Sequence, residues 1–107
     1  MKPARLRKAA QQDAFAEVRY YRREAGVAVA HRLRQAIEAT LADIEHNPGT
    51  GSPRLGQTLG VPGLRTWRIA GFPLAAWYFE RDDHLDVARI VGQRQDALSV
   101  DLDDTAP

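Results

Sequence analysis

Apolar residues recur every three or four positions in the first half of the chain and every second position in much of the second half. Ala14, Phe15, Val18, Tyr21 and Ala25 form one stripe, which predicts a helix from Ala10 to Ala25 with Gly26 as its C-cap. Val29, Leu33, Ile37, Leu41 and Ile44 form a second stripe, which stops at Asn47-Pro48-Gly49. With Gly26 between them, the two helices are expected to fold back as an antiparallel hairpin, with Tyr20 and Tyr21 at its core and rim. Three strand-like runs follow, Leu64–Ala70, Leu74–Arg81 and Leu85–Val91, joined by connections short enough for antiparallel hairpins. A short run from Pro3 to Ala9 reads as a strand before the first helix.

The stretch NPGTGSPRLGQTLGVPG is crowded with glycine and proline and reads as a loop bridging helices and sheet. The order is therefore βααβββ, an α+β domain whose small, antiparallel-rich sheet carries the helical hairpin on one face. At 107 residues the chain holds one core. The domain is expected over residues 1–98, and the acidic tail 99–107 is expected to fray.

Alternation along Leu74-Ala75-Ala76-Trp77-Tyr78-Phe79 sends Leu74, Ala76 and Tyr78 to one face and Ala75, Trp77 and Phe79 to the other. Both sets are apolar, yet two helices joined by a tight turn cover only one face. Either loop or tail buries the second face, or that face stays open for a partner.

Charge adds a polarity that the net value of +1 conceals. Residues 1–35 carry nine Lys and Arg against Asp13, Glu17 and Glu24, whereas the sign reverses from Asp82 onward. A basic front half suits nucleic acid, an acidic protein or simply a solvated helix face. No apolar run is long enough to span a membrane, and there are no cysteines, so a cytoplasmic protein without disulfides or thiolate metal sites is expected. His31, His46 and His84 lie in three separate elements without metal-ligand spacing. No phosphate cradle or nucleophile elbow occurs, so neither metal nor cofactor is expected, and any chemistry would fall to arginines.

In order along the chain, Ala10-Gln-Gln-Asp13, Tyr20-Tyr21, Gly26 and Ala30 are followed by Ile44-Glu-His-Asn-Pro48 and Gly51. Leu64-Arg65, Gly71-Phe72-Pro73 and Trp77-Tyr78 come next, then the run from Asp86 through Gly92 to Asp96. This succession resembles the RelE/ParE superfamily of type II toxins over residues 4–98, most closely its ParE branch. The resemblance implies a toxin that binds and inhibits a host target, DNA gyrase for most ParE proteins studied, and a ParD-like antitoxin that neutralises it in a hetero-oligomer. The RelE alternative is a ribosome-dependent messenger-RNA endoribonuclease, and a toxin-derived binding domain without activity is a third possibility.

Carried over residue by residue, the RelE pattern places basic catalytic positions at Arg68 and Arg94. Thr66 and Pro73 stand where other basic residues belong, Val100 where a tyrosine belongs, and Gly92 where ParE relatives often have histidine. Arginine stabilises phosphate charge but is a poor proton shuttle, so an inhibitory binding protein that does not contact nucleic acid directly is the expectation. Candidate contacts for target or antitoxin are Arg65, Arg68, Arg94, Trp77 and Tyr78. A structural role for Arg65, pairing with an acid or a loop carbonyl, has equal standing. Arg89, mid-strand among apolar residues, is expected to be ion-paired.

Overall fold

Strand β1 (Ala4–Leu6) leads directly into helix α1 (Lys8–Ala25), and only Gly26 separates α1 from α2 (Val27–His46). At φ +95° Gly26 takes a backbone conformation that side-chain-bearing residues rarely adopt, and its N–H bonds the Arg22 carbonyl to close α1. A computed structural model of the chain describes residues 1–93 and 97–102. Its remaining elements are a 3-10 turn at Pro48–Thr50, a short helix α3 (Arg54–Leu59), strands β2 (Arg65–Arg68), β3 (Leu74–Glu80) and β4 (Leu85–Gly92), and a 3-10 turn at Ala97–Ser99.

The four strands form one sheet in the order β1-β4-β3-β2. β1 runs parallel to β4, and the other two pairings are antiparallel. The α+β class, the helical hairpin and the antiparallel bias are as the sequence pattern predicted. The β3–β4 register slips between Trp77 and Tyr78, since Trp77 faces Arg89 while Tyr78 faces Val87. Ala88 is the extra residue, a β-bulge that reverses the alternation along β4. Leu85, Val87 and Ile90 thus face the hairpin, while Ala88 and Val91 face the opposite side.

Two apolar layers sandwich the sheet. The first joins Leu33, Ile37 and Ile44 of α2 and Ala10 of α1 to Leu74, Ala76, Tyr78, Val87 and Ile90. Phe15 departs from its predicted stripe: it lies on the outer surface of α1 and is 65% exposed, because its neighbours Ala14 and Val18 fill the space against the sheet. The second layer holds Leu64, Trp77, Phe79, Ala88 and Val91 under Leu55, Leu59 and Val61, with Ala97, Val100 and Leu102 also packed against it. This settles the open alternative: loop and tail bury the second face.

The predicted loop therefore contains a helix. α3 spaces Leu55 and Leu59 one turn apart, so both reach the second layer, and Gly60 ends it in the left-handed region at φ +70°. Gly56 must lack a side chain because a Cβ there would lie 2.7 Å from the Leu64 carbonyl oxygen. In the tail, Val100 and Leu102 pack against the second layer, and residues 103–107 lie outside the described residues.

Candidate functional site

β2 is an edge strand, and its residues decide what the sheet offers to a partner. Successive side chains alternate, and the register sets Arg65 opposite Tyr78 and Arg68 opposite Ala75. Arg65 and Arg68 consequently point to opposite faces, so they do not form one rim. The Arg65 guanidinium donates to the Gly51 carbonyl at 2.6 Å, which is the structural role open to it. Arg68 is exposed, and its guanidinium has no hydrogen bond or ion pair among the described residues. Arg94 lies outside the described residues.

Tyr78 and Trp77 are buried rather than presented. The Tyr78 hydroxyl donates to the Pro48 carbonyl at 2.7 Å and accepts from the Gly51 N–H at 3.1 Å. Burial pushes its pKa up against the opposing effects of the Gly51 hydrogen bond and the Arg65 charge, so the phenol stays neutral. A Cβ on Gly51 would sit 2.1 Å from that hydroxyl, which explains glycine there. Trp77, 3% exposed, lies inside the second layer. Neither aromatic side chain is available to a partner in this conformation. Together Tyr78 and Arg65 tie the segment Pro48–Gly51 to the sheet, and Ser52 continues the attachment by exchanging two backbone hydrogen bonds with Thr66.

The carboxylates set against the sheet, Asp13 and Asp86, are engaged. Asp86, 8% exposed, accepts from Arg7 Nε at 2.7 Å and from Arg81 Nη2 at 3.0 Å. Burial alone would raise its pKa, but the hydrogen bonds and charges of the two arginines outweigh that and hold it below the ordinary carboxylate value. Both guanidiniums also lie over the Phe79 ring, Arg81 at 4.7 Å from the centroid. Arg89 is paired as expected, with Asp13 as its partner. Only a lone aspartate between Leu85 and Val87 points to the Arg7–Asp86–Arg81 cluster in the sequence. That placement is itself a mark of a buried, paired charge.

Gly92 closes β4 in a buried position, where an added Cβ would lie 3.1 Å from Leu74 Cδ2. The strand end is a packed joint. The histidines stay apart: His46 Nδ1 lies 2.8 Å from the Ala42 carbonyl on α2, His84 pairs with Asp83 in the β3–β4 turn, and His31 is exposed on α2. Among the described residues there is no group of three potential metal ligands and no helix long and apolar enough to cross a membrane.

Residues 4–97 match the family model described as the ParE toxin of type II toxin-antitoxin system, parDE. No curated protein gives a match. Among solved structures, the chain is similar to one from the chromosomal ParDE toxin–antitoxin system of P. aeruginosa. The two share 23% identity over 86% of this chain and 96% of that one, with a TM-score of 0.72, a likeness of fold.

Proposed function

We propose a function from one premise: the chain belongs to the ParE toxin family of type II toxin–antitoxin systems. It acts as an inhibitory binding protein in the cytoplasm, with DNA gyrase as its host target and a ParD-like antitoxin as its neutraliser. The observation that carries the binding mode is the state of the ionisable groups at the sheet among the described residues. Asp13 and Asp86 are committed to arginine pairs, and Arg65 to a loop carbonyl. The exposed Arg68 has no proton-transfer partner among the described residues. Cutting RNA by 2′-hydroxyl attack calls for a positioned acid or base beside the phosphate, and an arginine does not supply one at neutral pH.

The experiment is a pair of assays on the purified chain. Gyrase-catalysed supercoiling should be inhibited and broken DNA should accumulate, while messenger RNA on programmed ribosomes stays intact. Codon-phased cuts that vanish in Arg68→Ala would replace this reading with the ribonuclease one. Activity in neither assay would leave a toxin-derived domain that only binds its antitoxin.

A further inference from the structure

The outer face of α1, turned away from the sheet, carries charge of one sign. At 3.6 residues per turn, Lys8, Gln12, Phe15, Arg19, Arg22 and Arg23 fall within one arc of about 100°. All six are exposed. The carboxylates of the helix lie outside that arc. Asp13 is committed to Arg89, and the Glu17 carboxylate is turned toward the end of β4, 3.8 Å from where a Cβ on Gly92 would stand. Glu24 meets Arg23 at 3.6 Å at the last turn, with both side chains exposed.

This arrangement differs from an ordinary solvated helix face. Such faces gain stability from opposite charges three or four positions apart and lose it from like ones. Arg19 has Arg22 and Arg23 at those spacings on one side and Phe15 and Ala16 on the other, with no carboxylate. Lys8 stands in the first turn, where the helix dipole disfavours a cation, and that turn holds no acidic residue. Phe15, 65% exposed, supports Arg19 instead of the core: the guanidinium lies 5.7 Å from its ring centroid. Lys8, Gln12, Phe15 and Arg19 line one recess of about 430 Å³, so the donors converge on a common concavity.

We propose that this face of α1 is a binding site for duplex DNA, held through its phosphates without sequence preference. Guanidinium, ammonium and side-chain amide groups are the donors that phosphate oxygens accept from. The rise from Lys8 to Arg23 is about 22 Å, the length of six to seven base pairs at roughly 3.4 Å each. An acidic protein partner would need apolar anchors at the centre of the contact, and the arc offers Phe15 alone, beneath Arg19. A single strand is held by bases stacked on successive aromatic rings, which one Phe does not supply. The expectation that the chain does not touch nucleic acid came from the strand positions, and α1 reverses it. A toxin bound to gyrase would meet the DNA on which that enzyme works, so the site goes beyond the target assignment without depending on it.

The test uses the full chain and a fluorescent mixed-sequence duplex of about 20 base pairs, with anisotropy read at several salt concentrations. Log affinity should fall against log salt with a slope of about −3 to −4, as release of counterions from four phosphates requires. Arg19→Glu should weaken binding by about tenfold and flatten that slope by about one or more. Arg54→Glu makes the same charge change on exposed α3, beyond the other face of the sheet, and should leave affinity within about twofold. Both sites are exposed, and thermal melting verifies that both variants fold. Equal losses in the two variants, a slope near zero, or tighter binding of the single strand overturns the proposal. Tighter binding of polyglutamate overturns it too and assigns the face to an acidic protein. Any of these results leaves the toxin assignment standing, because the gyrase and ribosome assays decide it separately.

Discussion

The carboxylate of Asp13 and the guanidinium of Arg89 meet through two hydrogen bonds, at 2.7 and 2.8 Å, across 76 residues of sequence. The same carboxylate accepts the Ile90 N–H at 3.0 Å, so α1 completes the hydrogen bonding of β4 beyond the point where β1 ends. Asp13→Ala should destabilise the chain by on the order of 3 kcal/mol, since it leaves a largely buried guanidinium without its counter-charge. Asp13→Asn, which still accepts from Ile90, should lose less. Urea unfolding measures both, and a loss below about 0.5 kcal/mol for the alanine variant would show that solvent replaces the pair.

Ile37 is 7% exposed at the contact of α2 with the sheet. Ile37→Asp places a carboxylate without a partner in that layer and should leave the chain unfolded. Ile37→Val removes one methylene and should lose only about 1 kcal/mol. Circular dichroism distinguishes them, and a cooperatively melting aspartate variant would mean that α2 does not bury this face.

Tyr78→Phe deletes the hydroxyl that joins Pro48 and Gly51 to the sheet. The expected loss is on the order of 1–3 kcal/mol, the range for leaving a buried polar group unsatisfied. Amide exchange at Gly51 should accelerate while that of β4 keeps pace with global stability. Uniform acceleration would show that the hydroxyl supports the whole fold instead of this loop.

Asp86 links stability to pH. Its folded-state pKa lies below the unfolded value of roughly 3.9, so its pairing stabilises the fold fully above that value. The contribution fades as pH falls from there through the folded pKa. The melting temperature should therefore drop on acidification below about pH 4. Asp86→Asn should melt lower at neutral pH and lose part of that acid limb. Identical acid limbs in the two proteins would assign acid sensitivity to other carboxylates.

The helices and strands were legible because each carries its own periodicity over many residues. Leu33, Ile37 and Ile44 landed in the first layer as their spacing required. α3 was hidden by its composition: six residues among prolines and glycines give no sustained pattern, and only the Leu55–Leu59 spacing followed by Gly60 marked it. Without α3 the cover of Trp77 has no mark in the sequence, and the Tyr78 hydroxyl's tie to Pro48 and Gly51 has none either, so both aromatics read as contact candidates. Arg89 announced a partner by lying in an apolar strand, yet a lone sequence does not say which acid is near. The bulge at Ala88 was equally silent, because an extra residue in a strand changes facing without changing composition.

The pairing of β1 with β4 also sets a schedule for synthesis. Among the described residues β1 has β4 as its only neighbour in the sheet, although all three α-helices and two further strands lie between them in the chain, and β3 too lies against β4. A growing chain can form its local helical hairpin early, but the sheet has no centre until Leu85–Gly92 has been made and released. Contacts this distant in sequence favour a late, concerted closure over stepwise assembly. Chains that lack β4 therefore carry neither apolar layer complete, and the sheet closes only once β4 is available.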